Sequence, residues 1–342
     1  MAVMIWISRL SNPVARMMPT YRAFFHAAIL AVGMGSGFSA AADAGGEPEV
    51  CVLVPHFKDE YWLSVAYGVS TEAETLGLSP RFLEAGGYRA VRRQTEQIAA
   101  CTASGAAAMV IGVVSSDDPE LLQAISDAAR VIPVVGFVNE SRSTALAGFV
   151  GVDWRVMGSR IGDYLARRHP KGQPPVTAVL ITGPEQAGWT APLETGLRRS
   201  LENSAVRLAA VYHADTSVRE QLGEVEVALS QFADADYLIG SAPAIEAAMG
   251  LAATGAVADM PALVATYVSH SVLRGLTSGK VRALAFDDPI AQGRLAMQRV
   301  DDVLAGRLGE EGEALTIELL TGPFDTPQNF RLSPPEYFPA SE

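Results

Sequence analysis

The pattern that most constrains this chain is a regular alternation of short apolar runs with amphipathic stretches. Val50 to Val54 is apolar throughout and stops at Pro55, which is how a strand buried on both faces reads. Over 61–77, Leu63, Ala66, Val69, Ala73 and Leu76 then recur at helical spacing before Gly77, a helix ended by glycine. The same unit repeats. Strands are expected over 79–84, 108–113, 133–138 and 149–152, with helices over 92–104 and 118–129. In the second half, helices over 155–167, 190–203, 219–232, 242–254 and 290–305, and a short one ending at Gly279, alternate with strands over 177–182, 208–212, 237–240, 263–267 and 281–285. Alternation of this kind makes parallel sheets flanked by helices. Two such halves in tandem predict an α/β fold of two Rossmann-like lobes. Open parallel sheets take their ligands beyond the carboxyl ends of the strands, so the ligand cleft is expected at the hinge.

The first 44 residues read as an address. Arg9, Arg16 and Arg22 precede any acid, an apolar run follows over 23–32, and small residues lead to Ser39-Ala40-Ala41-Ala42-Asp43-Ala44. A positive start, a short apolar core and an Ala-x-Ala site make a secretory signal peptide. The alternative is a membrane anchor, but the core falls short of the ~20 residues a spanning helix needs. The exported chain is expected in the periplasm without direct membrane insertion. It is divided into a first lobe of 45–152 plus 286–312 and a second of 153–285 plus 313–342. Export permits a disulfide between Cys51 and Cys101, whose alternative is two small buried thiols.

The formal charge of −12 excludes broad nucleic-acid binding, which needs a basic patch. Two cysteines and five histidines give little material for a metal centre, and no nucleophile elbow or phosphate loop is present. Neither an enzyme nor a cofactor is expected. The strand ends carry rings instead. Asp59, Tyr61 and Trp62 follow the first strand, Tyr88 the second, Trp154 the fifth, Trp189 the first strand of the second half, and Tyr267 ends strand 263–267. Any one of these has a plain structural reading as core. Converging on one cleft, they suit a fully alkylated nitrogen, whose diffuse positive charge sits over ring faces for roughly 0.5–2 kcal/mol per ring. Asp59 would add a carboxylate.

The tandem scheme, the leader, the Tyr61-Trp62 pair and Phe286-Asp287-Asp288-Pro289 resemble the type I periplasmic binding proteins of the ribose-binding kind. The polar set that such proteins use for sugar hydroxyls is broken. Trp189-Thr190-Ala191-Pro192 stands where an Arg would be expected, and Tyr267 where an Asp would. Longer strings resemble the TorT family of periplasmic trimethylamine-N-oxide sensors: residues 55–65, Leu83 to Tyr88, Gly151 to Trp154, Arg168 to Gly172, Gly240 to Ala248, Tyr267 to His270 and Leu332 to Tyr337. The resemblance implies a cage of Trp62, Trp154 and Tyr267 around the methylated nitrogen of trimethylamine N-oxide. Tyr88 would donate to the oxide, with Tyr61, Asp59 and Trp189 as further candidates. It also implies docking on the periplasmic domain of a TorS-type hybrid sensor histidine kinase. The rival expectation is the solute receptor of an ABC importer for a sugar, an autoinducer or another methylated amine.

Overall fold

The computed structural model describes residues 46–341, apart from 258, 308–314 and 323–329. The expected signal segment, 1–44, lies outside the described residues. Among them no helix is long and apolar enough to cross a membrane.

The first lobe is built on β1 (Glu49–Val54), β2 (Ser79–Glu84), β3 (Ala108–Ile111), β4 (Val134–Phe137) and β5 (Gly148–Val150). They form one parallel sheet in the order β2-β1-β3-β4-β5. Helices α1 (Glu60–Leu76), α2 (Val91–Ser104) and α3 (Pro119–Ala128) connect its strands. The chain then enters the second lobe through α4 (Trp154–Arg168). There β6 (Val176–Thr182), β7 (Val206–His213), β8 (Tyr237–Gly240), β9 (Ala262–Ala265) and β10 (Val281–Phe286) alternate with α5 (Thr190–Leu201), α6 (Val218–Gln231), α7 (Ala242–Thr254) and α8 (His270–Thr277). After β10 the chain crosses back, and α9 (Pro289–Leu304) packs along α1 and against β3, β4 and β5. A last strand, β11 (Glu318–Thr321), pairs antiparallel with β10 and completes the order β11-β10-β9-β8-β6-β7. That antiparallel edge departs from the all-parallel expectation.

The tail beyond β11 does not stay with the second lobe. Ser333 bonds Ser64, Tyr337 bonds Ser70, the Phe338 ring meets Phe57, and Ser341 bridges Phe82. This return departs from an assignment of 313–342 to the second lobe. The aromatic tail covers apolar rings at the start of α1 and on β2.

Each lobe is braced by one helix pair in backbone contact. At the crossing of α1 and α9, a Cβ on Gly68 would lie 2.1 Å from the Ile290 carbonyl oxygen, and one on Gly293 2.1 Å from that of Val65. At the crossing of α4 and α5, a Cβ on Gly158 would lie 2.0 Å from Leu193 O and one on Gly196 1.9 Å from Arg155 O. Only glycine allows this closeness. These four helices begin at the cleft, so the pairs hold its rims. In the first lobe Cys51 on β1 and Cys101 on α2 are joined as a disulfide, with Cα atoms 6.2 Å apart.

Candidate functional site

The carboxyl ends of β1, β2, β4, β5 and β6 and the segment after β9 converge on a small cavity with about 10 Å³ of free space. It is lined by Asp59, Tyr61, Trp62, Tyr88, Val138, Asn139, Trp154, Trp189 and Tyr267. All seven residues singled out in the sequence meet here. Six aromatic side chains and one carboxyl group make up most of the wall, and none of these seven is more than 4% exposed.

Local sequence explains how each group arrives. Asp59 caps α1, accepting from the Tyr61 amide at 3.0 Å, which throws Tyr61 and Trp62 onto the first turn. The Trp62 indole then needs space at the end of β3. Gly112 supplies it, because a Cβ there would sit 2.5 Å from Trp62 Cη2. Gly183 after β6 does the same for Trp189, whose Cζ2 would be 2.2 Å from a Cβ. Asp153 caps α4 by accepting from the Arg155 amide at 2.8 Å and so presents Trp154. Its indole N–H donates to the Val138 carbonyl at 3.0 Å.

The rings contact one another as a continuous lining. Trp154 lies tilted on Trp189 at 5.4 Å, Trp189 meets Tyr267 edge-on at 5.8 Å, Tyr267 meets Tyr61 at 5.3 Å, and Tyr61 meets Trp62 at 6.2 Å. Such geometry is the preferred one for aromatic quadrupoles. It leaves ring faces, which are negative, available to a positively polarised guest.

Polar bonds across the lobes close the cavity. Tyr267 of the second lobe donates to Asp59 Oδ2 of the first at 2.6 Å. Tyr61 donates to Asp287 Oδ2 at 2.8 Å, and Gln292 Nε2 donates to both partners. On the far rim His56 Nε2 lies 2.8 Å from Thr216 Oγ1, and the Tyr88 amide donates to Asp215 at 3.0 Å. Burial sets the charges. It pushes the Asp59 carboxyl up to about 7, against the Tyr267 hydroxyl and Tyr61 amide that hold it down. It pushes Asp287 up to about 6 against the bonds from Tyr61 and Gln292. It holds His56 down to about 3, helped by Lys58, so His56 is neutral. The cavity is therefore apolar, aromatic and nearly uncharged, with one carboxyl that titrates near neutrality.

Two lining residues were absent from the sequence reading: Val138 and Asn139. Val138 has φ +62°, and the Asn139 amide donates to the Phe137 carbonyl at 2.7 Å, a γ-turn with positive φ. A β-branched residue there is a genuine backbone outlier. The rule that chemistry sits after a strand, applied to β4, points to Phe137-Val138-Asn139. Nothing in the residue types announces the turn. Among the described residues no group of His, Cys, Asp and Glu is arranged to hold a metal ion.

Residues 50–308 match the family model described as periplasmic binding protein domain. The periplasmic protein TorT of Escherichia coli (strain K12) is 33% identical over 275 residues, covering 80% of this chain and 78% of that one. A crystal structure of the TorS sensor domain–TorT complex in the presence of TMAO matches with 36% identity and a TM-score of 0.74, over 86% of this chain and all of that one. An ABC transporter solute-binding protein from Bradyrhizobium sp. BTAi1 with bound Bis-Tris matches with 32% identity and a TM-score of 0.66, over 84% and 89% of the two chains. With its two-lobed α/β architecture and its closed inter-lobe cavity, this chain belongs to the periplasmic binding proteins and, among them, to the TorT family.

Proposed function

We propose that this protein binds trimethylamine N-oxide in the aromatic cavity and relays its presence to the periplasmic domain of a TorS-type hybrid sensor histidine kinase. The observation that carries the reading is the pairing of a ring-lined wall with the Tyr88 hydroxyl, whose oxygen is supplied with N–H donors, while the wall's other two hydroxyls, Tyr61 and Tyr267, donate to carboxylates. An N-oxide has a positive, triply methylated nitrogen and a negative oxygen. Trp62, Trp154, Trp189 and Tyr267 take the methylated end by cation–π attraction, and Tyr88 donates to the oxygen. The free space of about 10 Å³ is that of a single water, so the cavity admits only a guest of few heavy atoms, and the rings must move apart to take it. The Asp, Asn and Arg set of a sugar site is incomplete in this wall: no Arg lines it, and its carboxyl group, Asp59, already accepts from the Tyr61 amide and the Tyr267 hydroxyl. The protein performs no chemistry on its ligand, in keeping with a family of binding proteins.

Relay works by population shift: the bound ligand favours one relation of the lobes, and the kinase domain favours one as well. Calorimetric titration with trimethylamine N-oxide, alone and with the sensor domain, tests both parts. Heat is expected in each case, with different affinities in the two. No heat in either would remove the ligand assignment, and equal affinities would remove the coupling.

A second reading, the receptor of an importer for another amine, has one observation in its favour. The Bradyrhizobium solute-binding protein is nearly as similar, and a hydroxylated tertiary amine is named as its bound molecule. Failure of the sensor domain to bind, with ligand affinity intact, would favour it.

A further inference from the structure

Tyr88 Oη has one proton and two lone pairs. Asn139 Nδ2 and Trp189 Nε1 both donate to it, each at 3.3 Å, and the Trp62 indole also faces it as a donor, which engages its lone pairs and leaves its proton to be donated. The orientation of the Asn139 amide is fixed independently. The same Nδ2 lies 2.9 Å from the Val113 carbonyl oxygen, which can only accept. Asn139 is 1% exposed, and its Oδ1 has no hydrogen-bond partner among the described residues. It is held at the cavity wall by the γ-turn at Val138, whose amide donates to Val150 O and whose carbonyl accepts from Trp154. Backbone outliers of this sort cost about 1–3 kcal/mol and persist where their surroundings over-determine them.

We infer that Asn139 is the positioning residue that fixes Tyr88 as an obligate donor, so that the cavity selects ligands whose polar end is a hydrogen-bond acceptor. The inference rests on reading the cavity as an N-oxide site. It supplies the discrimination such a site needs. Trimethylamine N-oxide offers an acceptor to Tyr88. Its reduced counterpart, trimethylammonium, lacks that oxygen and offers an N–H donor in its place, which meets a donor.

The test is a double-mutant cycle of Asn139→Ala and Tyr88→Phe, read as calorimetric affinity for trimethylamine N-oxide. Asn139→Ala alone is expected to weaken binding about tenfold, the worth of one hydrogen bond. In the Tyr88→Phe background the same change is expected to cost less than about twofold, because the hydroxyl it acts through is gone. Equal losses in both backgrounds overturn the inference and make Asn139 a wall residue only. Asn139→Ala is also expected to narrow the preference for the N-oxide over trimethylammonium; an unchanged preference overturns the inference too. Asn139→Leu, which keeps the volume, is carried in parallel, with thermal melting to establish folding. A wild-type chain without affinity for the N-oxide would overturn the functional reading and the inference with it, whereas equal losses in a chain that binds would overturn the inference alone.

Discussion

The two lobes brace their cleft rims in the same way and assemble them differently. Both rims are helix pairs brought into backbone contact by two facing glycines. In the second lobe α4 and α5 follow one another within residues 154–201, separated by one strand. In the first lobe α1 waits for α9, which arrives only after β6 to β10 of the second lobe have been made. Distant pairings carry a larger loop-closure cost before any contact repays it. The first lobe also carries the disulfide between β1 and α2. The lobe whose bracing helices are farther apart in sequence is the one with a covalent tie.

That contrast can be broken by experiment. Replacing Cys51 and Cys101 by alanine removes a link between residues 50 apart and is expected to cost about 4 kcal/mol, all of it in the first lobe. Calorimetric melting should then resolve the first lobe ahead of the second; one unshifted transition would dissolve the distinction. Gly196→Ala and Gly293→Ala should each cost about 1–3 kcal/mol by forcing their helix pairs apart, because neither backbone can yield locally. If Gly293→Ala slows refolding no more than Gly196→Ala does, the late arrival of α9 has no kinetic weight.

A third test concerns the bonds between the lobes. Asp59 has a folded-state value near 7, far above its unfolded one, so it binds its proton more tightly in the native protein. Its favourable contribution is present in full below the unfolded value and is lost as pH rises through about 7. Relative to wild type, Asp59→Asn should therefore gain stability between pH 4 and 7, by at most about 1.4 kcal/mol per pH unit. Glu60, Glu246 and Tyr267 also face this carboxyl and remain in the variant. Parallel stability curves in urea would show that the Asp59 carboxyl titrates normally. The smallest expected effect is on the ligand. Trp154→Ala removes one ring, worth about 0.5–2 kcal/mol of affinity for trimethylamine N-oxide. An unchanged affinity would make that indole a prop for Val138 and nothing more.

The fold was legible because burial on both sheet faces leaves a continuous apolar run, and Val50 to Val54 or Tyr237 to Gly240 need no partner to be recognised. β11 was not, because Glu318-Leu319-Leu320-Thr321 is a strand only by virtue of pairing with β10. The rings of the cavity were legible as residues placed just after strands. Their polarity was not. Which way Tyr88 points its proton depends on Asn139, 51 residues away, and on Trp189, 101 residues away. The positive φ of Val138 is equally silent, since valine is the last residue the rules of turns would place there. The return of the tail to the first lobe was invisible because its signal is one of matching rings, Phe338 on Phe57 and Tyr337 on Tyr67.

The placement of the tryptophans has an optical consequence. The chain has four, of which Trp6 falls in the expected leader, and Trp62, Trp154 and Trp189 all line the cavity. In a chain cut near residue 44, every indole that fluoresces does so from the wall of one small space. A guest that displaces water from those rings, or reorients Trp154 against Trp189, alters the emission of the whole population at once. The protein thus carries an unlabelled reporter of its own occupancy, with no distant indole to dilute the signal.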